Sequence, residues 1–381
     1  MKLVIHDLNT EEWDRIRSEY EGDCILSDNG KIRPCIGCFS CWNRTPGQCV
    51  MRDGYENMGR LIHQADEVVV ISRYTYGGFS GFVKNIFDRS LGYVLPQFEV
   101  IGGETHHKKR YQEDKAFSFL FYGHNLSEEE KGSARRYVTA VCTNIRGHVK
   151  AVVFQECEET EKPAEQRTET QPGKVVLLNG SMRSADGNSA KLAGQLGKRL
   201  HRDYETVALQ KYVGNLTELL PVLEKAEAIV LCTPLYVDGL PSQVIRLMEL
   251  AQKQCGEKGK LVYVLANMGL YESRQLVNLF SAVRQWCGKT DQIYCGGLGI
   301  SAGELIGGLM QILPFDFGPG KKMAEGMDRL AEAIDRGGKT EDLYTEPFCF
   351  PRSLYIQIAN SNWNLTAKKN GIRPEDLYRR L

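Results

Sequence analysis

The sequence predicts an α/β protein made of two doubly wound, parallel-sheet domains in tandem. Three observations lead to this prediction. The chain has 381 residues, which is too long for one ordinary core and comfortable for two. In both halves, short β-branched runs alternate with longer helical patterns, as expected of βαβ units. A charged segment with almost no apolar residues, 158–173, separates the halves and is predicted to be a linker.

The first half, residues 1–157, is expected to contain parallel strands at Lys2–His6, Glu67–Ile71, Ala116–Phe121 and His148–Phe154. The helical patterns between them predict helices at Glu11–Tyr20, Tyr55–His63, Phe82–Leu91 and Glu128–Asn144. We also expect Arg33-Pro34 to end a strand, and we expect the basic run His106–Arg110 to lie in a solvated polar loop.

The second half, residues 174–345, is predicted to follow the same plan, with 346–381 as a C-terminal tail. Its strands are expected at Val175–Leu178, Ala228–Leu231, Leu261–Leu265 and Gln292–Cys295, and its first helix at Ser189–Leu200. The halves also align with each other. A strand, a loop with an aromatic residue and a glycine, and a helix occur at 67–85 and again at 228–246. This alignment predicts the duplication of one fold.

The composition limits the classes of function. Lysine plus arginine and aspartate plus glutamate number 48 each, so a nucleic-acid or membrane partner is not expected. No apolar run is long enough for a membrane span, and the N-terminus turns polar too early for a signal peptide. We therefore expect a cytoplasmic protein. Its twelve cysteines, without an export signal, argue against a disulfide scaffold.

A polar turn follows the first strand of the second half and opens directly into a helix: Asn179-Gly180-Ser181-Met182-Arg183-Ser184-Ala185-Asp186-Gly187-Asn188-Ser189. Gly180 lets the backbone approach a ligand, and Arg183 offers a bidentate contact. Ser181, Ser184 and Ser189 add hydroxyl donors. Free N–H groups and the dipole at a helix start favour an anion. The alternative is an ordinary serine-capped turn, but capping needs fewer donors, so a phosphate site is favoured.

This turn resembles the FMN-phosphate loop of the NADPH-dependent FMN reductases, a branch of the flavodoxin-like superfamily. The resemblance runs from Lys174 to about Gly303. The segment Pro234–Pro241 is similar to the loop that lines the isoalloxazine ring, and Asn267–Tyr271 to the third flavin loop. For these two segments the alternative is the Gly and Pro punctuation of any strand-to-helix turn.

The resemblance implies FMN as cofactor, NAD(P)H as electron donor, and the homodimer that such reductases often form. It also implies that FMN contacts Gly180, Ser181, Arg183, Ser184, Asn188, Ser189, Pro234, Leu235, Tyr236, Val237, Asn267, Met268, Gly269 and Tyr271. The equivalent turn of the first half, Asp7–Glu12, has neither glycine nor serine. Its carboxylates suit the helix dipole and repel phosphate, so the first domain is not expected to hold FMN by its own loop.

The first half instead contains a compact set of four cysteines, Cys35, Cys38, Cys41 and Cys49. Three thiolates at this spacing, closed by a fourth from a tight loop, are a common ligand set for a [4Fe–4S] cluster. The set resembles the cysteine motif of iron–sulfur flavoproteins, which are flavodoxin-like FMN proteins. Two alternatives stay open: structural zinc, whose sites usually come as two separated pairs, and four metal-free thiols.

The leading hypothesis is an FMN-dependent NAD(P)H oxidoreductase that passes electrons to a small acceptor or to the cluster. The flavin carries the redox chemistry in such enzymes, so we assign no catalytic acid, base or nucleophile. One alternative is an electron-transfer carrier of the iron–sulfur flavoprotein type, which exchanges electrons with a ferredoxin-like partner. The other is a non-catalytic flavin-binding protein.

Overall fold

The computed structural model describes residues 1–157, 174–183, 187–256 and 258–381. The predicted linker, 158–173, lies outside these ranges. The chain divides into two compact units: Met1–Glu159 with Ile356–Leu381, and Thr160–Tyr355. The C-terminal residues from Ile356 onward therefore group with the first unit. In the described ranges, no helix is both long and apolar enough to cross a membrane.

The strands, in chain order, are β1 Lys2–His6, β2 Cys24–Ser27, β3 Glu67–Arg73, β4 Val94–Ile101, β5 Glu104–Lys109, β6 Lys115–Gly123, β7 Gly147–Glu156, β8 Val175–Asn179, β9 Tyr204–Ala208, β10 Ala228–Pro234, β11 Leu261–Asn267, β12 Ile293–Ile300 and β13 Leu343–Thr345. The α-helices are α1 Thr10–Ile16, α2 Ser40–Asn43, α3 Met58–Gln64, α4 Gly81–Arg89, α5 Glu128–Asn144, α6 Asn188–Gly197, α7 Leu220–Lys225, α8 Ser242–Gln254, α9 Val277–Lys289, α10 Gly303–Leu309, α11 Lys321–Asp335 and α12 Arg352–Lys369.

Both units contain a parallel sheet with the strand order of flavodoxin-like proteins. In the first unit the order is β2-β1-β3-β6-β7, and in the second it is β9-β8-β10-β11-β12-β13. All neighbouring strands in these two sheets run parallel. In each sheet the second strand of the unit is the edge strand next to the first strand. The third strand then pairs with the opposite side of the first strand. The prediction of two tandem flavodoxin-like α/β domains is confirmed.

All eight strands for which the sequence analysis gives bounds are present, but the strands at three sheet edges are not predicted. These are β2, β9 and β13. An edge strand is covered incompletely and therefore lacks a continuous apolar run. Ile25 in β2 and Tyr204 in β9 illustrate this, because they are 45% and 41% exposed. The antiparallel hairpin of β4 and β5 is also an addition to the predicted plan.

Two expectations for the first unit are wrong. Arg33-Pro34 ends no strand, because β2 already ends at Ser27 and the loop that follows has no regular structure there. The run His106–Arg110 is not a solvated loop, because most of it forms β5 and pairs with β4. His106 and Arg110 are both buried. Their polar groups find partners from distant parts of the chain, which the local sequence does not reveal.

The same tight turn follows the central strand of each unit. Thr75 and Gly78 exchange two backbone hydrogen bonds of 3.0 Å, and Tyr236 and Gly239 do the same. In each case the two residues between them have positive φ, as a type I′ turn requires. The two units therefore repeat this turn, in agreement with duplication of one fold.

The core of the second unit positions the carboxyl edge of its sheet. Leu192 of α6 and Met327 of α11 pack in one cluster with Val230 of β10, and all three side chains are buried. Burying such a side chain contributes about 1.5–3 kcal/mol. The N-terminal turn of α6 is thereby held over the end of the sheet.

Candidate functional site

Three predicted loops of the second unit leave the sheet at the same edge. Residues Asn179 and Cys232 lie side by side in β8 and β10, and Pro234 is opposite Asn267 of β11. The chain leaves β8 toward β9 on one side and leaves β10 toward β11 on the other. Open α/β sheets bind ligands at such a switch point, outside the carboxyl ends of the strands.

The turn after β8 is shaped by its own side chains. Oδ1 of Asn179 accepts a 3.0 Å hydrogen bond from the backbone N–H of Ser181. Oγ of Ser181 accepts one of 3.2 Å from the N–H of Arg183. Gly180 donates its N–H to the carbonyl of Cys232 at 2.8 Å. A Cβ at this glycine would lie 2.8 Å from Cγ2 of Val244, so close packing requires glycine here.

The start of α6 carries two of the predicted ligands. The helix begins after Gly187, and no side chain at this N-cap position binds the first-turn N–H groups. Ser189 does not cap the helix, because its hydroxyl donates to Oδ1 of Asn267 at 2.7 Å. Asn188 is half-buried, and its amide points to α10. The predicted contact Ser184 lies outside the described residues.

Glu304, which the sequence analysis did not identify, accepts hydrogen bonds from two of the predicted phosphate donors. Nη1 of Arg183 and Nδ2 of Asn188 both donate to Oε1 of Glu304, at 3.1 and 3.3 Å. Glu304 is in the first turn of α10, and its side chain is 52% exposed. The donors therefore converge on one anionic oxygen. The available sequence signal was the neighbouring Gly303, the residue at which α10 begins.

The last residue of β10 and the first three residues of the loop after it are half-buried: Pro234, Leu235, Tyr236 and Val237. Leu235 donates its N–H to the carbonyl of Asn267 at 2.8 Å, which ties this loop to the next one. The type I′ turn described above begins at Tyr236. The loop thus has a fixed backbone beside the turn after β8.

The loop after β11 is held by the C-terminal part of the second unit. Both backbone polar groups of Met268 form hydrogen bonds. Its N–H donates to the carbonyl of Ile300, and its carbonyl accepts from the N–H of Gly303. The hydroxyl of Tyr271 donates to the carbonyl of Phe350 at 2.6 Å. The Tyr271 ring lies 5.8 Å from that of Tyr355, whose hydroxyl donates to the carbonyl of Gly269.

The equivalent turn of the first unit is filled by its own carboxylates. Glu12 forms a capping box with Asn9 at the start of α1 and accepts from Nη2 of Arg73 at 2.5 Å. Asp7 accepts from the backbone N–H of Arg73 at 3.0 Å. Burial raises the pKa of the Asp7 carboxyl despite these hydrogen bonds. The donors that a phosphate would need are already used by these carboxylates.

The loop with the four cysteines is anchored to α4. This helix is buried on every side, and Lys84 and Asp88 form an ion pair within it. Oδ1 of Asn85 accepts from the N–H of Cys35 at 3.2 Å, and its Nδ2 donates to the carbonyl of Arg33 at 3.1 Å. The polar residues of α4 therefore fix the beginning of the loop.

Arg89 at the end of α4 fixes the other end of the loop. Its guanidinium contacts both carboxylate oxygens of Asp53, at 2.8 and 2.9 Å. Its Nε donates to Sγ of Cys49 at 3.2 Å. The side chain is fully buried. A thiolate at Cys49 thus has a charge-assisted hydrogen bond available to it.

All twelve cysteines are free thiols, and the predicted ligand cysteines are half-buried. Burial raises the pKa of Cys35 to about 12, and the nearby carboxylate of Asp88 adds to this. Burial also raises the pKa of Cys41, to which the charges of the other three cysteines contribute. In the described part of the chain, no group of three or more His, Cys, Asp or Glu side chains is arranged to hold a metal ion.

Aromatic rings cover the cysteine loop. Trp42 is 2% exposed and donates its indole N–H to the carbonyls of Leu91 and Val94, both at 3.0 Å. Its ring stacks on Phe39 at 5.3 Å, and Trp363 meets it edge-on at 5.2 Å. The sequence does not place Trp363 at this loop, because Trp363 lies more than 300 residues further along the chain.

Comparison with known proteins gives short matches to iron–sulfur flavoproteins. One from Archaeoglobus fulgidus is 32% identical over 76 residues, which are 20% of this chain and 34% of that protein. One from Methanocaldococcus jannaschii is 31% identical over 88 residues, 23% of this chain and 42% of that protein. The chain thus spans less than half the length of these curated relatives. No protein-family model matches it.

Among solved structures, the chain is similar to an oxidoreductase from Corynebacterium diphtheriae at 12% identity and a TM-score of 0.34, over 44% of this chain and 97% of that one. The sheets described above define a protein of two flavodoxin-like α/β domains. Its homologues include iron–sulfur flavoproteins.

Proposed function

We propose that the chain is an FMN-dependent oxidoreductase that takes electrons from NAD(P)H. The observation that carries this proposal is the convergence of Arg183 and Asn188 on one carboxylate oxygen of Glu304 at the switch point of the second sheet. Side chains that bind a carboxylate of the chain at this position are also suited to bind the phosphate of FMN.

The two parts of FMN have separate candidate contacts. Those for the phosphate are Gly180, Ser181, Arg183, Ser184, Asn188 and Ser189. Those for the ring are Pro234, Leu235, Tyr236, Val237, Asn267, Met268, Gly269 and Tyr271. The hydrogen bond between Ser189 and Asn267 joins the two groups. Bound FMN would supply hydride acceptance, while the chain orients it and excludes water.

For the first unit we propose that Cys35, Cys38, Cys41 and Cys49 hold a [4Fe–4S] cluster. Thiolates are the donors that such clusters need, and the loop that carries the cysteines is anchored at Cys49, whose Sγ accepts a hydrogen bond from Nε of the buried Arg89. The names of the two archaeal relatives support the same assignment. Zinc and metal-free thiols are the competing assignments, and iron and zinc analysis of anaerobically purified protein distinguishes all three.

A second candidate function is an electron-transfer carrier of the iron–sulfur flavoprotein type. The anchoring of the cysteine loop by Asn85 and Arg89 favours it, because a carrier needs a rigid redox site. A reductase and a carrier differ in how quickly they accept hydride.

Rapid mixing of the anaerobic FMN-loaded protein with NADPH, and separately with NADH, tests the leading proposal. A reductase loses its flavin absorbance quickly and turns over when a small acceptor is added. A carrier reacts slowly with both nicotinamides but exchanges electrons with reduced ferredoxin. Flavin that stays oxidised in both experiments would contradict both functions and leave a non-catalytic flavin-binding protein.

A further inference from the structure

Residues 346–355, which we call the strap, follow β13 and end in the first turn of α12. They contact the segment 268–273, which directly follows β11 and contains three of the candidate ring contacts. The contacts connect four residues of the strap with four residues of this segment: Glu346 with Ser273, Phe350 with Tyr271, Arg352 with Glu272, and Tyr355 with Gly269. All eight residues belong to the second unit. The strap is therefore bonded to the segment from its first residue to its last.

Tyr355 contacts the segment through its hydroxyl and its ring. The side chain is 3% exposed, its hydroxyl donates to the carbonyl of Gly269, and its ring lies 5.8 Å from that of Tyr271. Burial raises the pKa of Tyr355, and the carboxylates of Glu304 and Glu272 act in the same direction. The hydroxyl is therefore protonated at neutral pH and serves as a hydrogen-bond donor to the backbone of the segment.

At the other end of the strap, Glu346 accepts two hydrogen bonds from Ser273. Its Oε1 accepts from the backbone N–H at 3.1 Å and from the hydroxyl at 2.5 Å. Ser273 is fully buried. A buried donor that loses its acceptor is costly, because no water replaces the lost bond. The position of Ser273 therefore depends on the carboxylate of the strap.

Two further contacts lie between these ends. The carbonyl of Phe350 accepts from the hydroxyl of Tyr271 at 2.6 Å, and Nη1 of Arg352 donates to Oε1 of Glu272 at 2.8 Å. Each segment supplies both donors and acceptors. The segment 268–273 therefore cannot leave its position without breaking bonds to the strap at several points.

The strap is itself fixed to the rest of the second unit. It starts at β13, which pairs with β12, and the hydroxyl of Thr345 donates to the carbonyl of Gly299 at 3.0 Å. The N–H of Phe348 donates to the carbonyl of Pro319 at 2.9 Å. The strap thus offers the segment a fixed surface that does not depend on a ligand.

We propose that the strap is part of the flavin site, and that Tyr355 and Glu346 are positioning residues which hold the segment 268–273 in the conformation that contacts the isoalloxazine ring. The inference rests on the proposed function. A site that is competent only part of the time binds its ligand more weakly by that fraction, so prior ordering raises affinity. The effect should concern the ring and not the phosphate, whose candidate contacts lie in the turn after β8 and at the start of α6.

Titration of the flavin-free full-length protein with FMN, and separately with riboflavin, tests this role. Riboflavin has the same ring and no phosphate. Tyr355→Phe removes the hydroxyl and keeps the ring. Its matched control is Tyr263→Phe, because Tyr263 is also buried in the second unit and its hydroxyl also donates to backbone carbonyls, those of Ala333 and Gly338 at 3.2 and 2.8 Å.

Tyr355→Phe is expected to weaken both flavins about fivefold, which equals about 1 kcal/mol. Glu346→Ala should weaken both about tenfold, since it leaves the two donors of Ser273 without their acceptor. Glu346→Gln keeps an acceptor oxygen and should stay close to wild type, as should Tyr263→Phe. Arg183→Ala, in contrast, should weaken FMN and leave riboflavin unchanged.

Hydrogen exchange of the same flavin-free proteins measures the hold of the strap directly. The backbone amides of 268–273 should exchange faster in Tyr355→Phe and Glu346→Ala than in wild type. They should exchange at the wild-type rate in Tyr263→Phe. If Glu346→Ala does not fold, Tyr355→Phe decides the result together with its control.

Three results would overturn the inference alone, in a wild-type protein that binds both flavins. They are wild-type affinities in Tyr355→Phe, an equal loss of affinity in Tyr263→Phe, and a loss confined to FMN, which would place the effect at the phosphate. A wild-type protein that binds neither flavin refutes the proposed function and this inference with it.

Discussion

The hydroxyl of Ser189 donates a 2.7 Å hydrogen bond to Oδ1 of Asn267, which joins the first turn of α6 to the end of β11. The two residues are 78 positions apart, and both are buried. A buried hydrogen bond between side chains contributes about 1 kcal/mol and fixes the relative position of its two elements. The candidate phosphate loop and a candidate ring loop are therefore held as one structure.

Opposite charges at the phosphate turn predict opposite effects on FMN affinity. Arg183→Ala should weaken FMN binding by about 1.5–3 kcal/mol, or roughly tenfold to 150-fold, because a charge-assisted hydrogen bond is lost. Glu304→Gln should tighten binding, since the carboxylate that Arg183 and Asn188 now contact competes with phosphate. Fluorescence titration of the flavin-free protein measures both.

The control for this pair is Arg284→Ala. Arg284 lies in the same unit, is also partly exposed, and forms an ion pair with Asp342. Its replacement should leave FMN affinity unchanged. Equal FMN affinity in wild type and Arg183→Ala would refute the assignment of Arg183 to the phosphate.

Two adjacent glycines of α10 provide a steric test. A Cβ at Gly307 would lie 1.9 Å from Oδ1 of Asn188, whereas a Cβ at Gly308 would meet nothing within 4 Å. Gly307→Ala should therefore push the Asn188 side chain away and weaken FMN severalfold. Its effect on thermal unfolding should be small, because the displaced group is the end of a side chain and alanine favours a helix.

Gly308→Ala is expected to leave FMN affinity unchanged and to raise the unfolding temperature slightly, because alanine favours a helix and its Cβ would meet no neighbour. If both variants bound FMN like wild type, the position of Asn188 would be irrelevant to the flavin. If both lost FMN, the helix itself and not the contact with Asn188 would be responsible.

The interior strands were predictable and the polar anchors were not. Strands such as β8 and β10 bury both faces, so their sequences are uninterrupted apolar runs. In α4, by contrast, Lys84, Asn85 and Arg89 have the composition of a solvated helix face, yet they are buried. Asn85 has its partner 50 positions away, at Cys35, and no local pattern indicates such a pairing.

The candidate phosphate site was predictable to a similar extent. Its glycine, serines and arginine are consecutive in sequence, so a motif identifies them. Glu304 contacts Arg183 across 121 positions, and only the folded chain brings them together. The same holds for Trp363, which lies against Trp42 in the first unit.

Replacing one cysteine should separate the two proposed cofactors. Cys38→Ser removes one of four thiolates and should abolish the iron content and the broad absorbance beyond the flavin bands. FMN content should be unchanged, because the candidate flavin contacts are in the other unit. The matched control is Cys349→Ser, since Cys349 is an exposed thiol. An iron content that Cys38→Ser leaves intact would exclude this residue as a ligand.

The stability that the ion pair between Arg89 and Asp53 contributes should depend on pH. Burial alone would raise the pKa of Asp53, but hydrogen bonds from Arg89 and from two backbone N–H groups hold this pKa at about 2, against an ordinary 3.8. The ionised carboxylate therefore stabilises the fold above about pH 4, and this contribution disappears as the pH falls through 2. At neutral pH, Asp53→Asn should cost about 2 kcal/mol.

Urea unfolding of the iron-free protein at several pH values checks this expectation. The difference between wild type and Asp53→Asn should shrink as the pH decreases toward 2. Asp14→Asn serves as control, because Asp14 forms an exposed ion pair with Arg17 of the kind that contributes little. A difference that is independent of pH would show that the charge of Asp53 is not what anchors the loop.

The central claim is that the second unit binds FMN, and a crystal structure of the full chain grown with FMN tests it most directly. The account predicts one FMN per chain, with its phosphate at the turn that contains Gly180, Arg183 and Asn188 and its ring beside Tyr236 and Asn267. In that structure Glu304 should have released Arg183. Flavin density in the first unit, two flavins per chain, or a phosphate away from Arg183 would contradict the account.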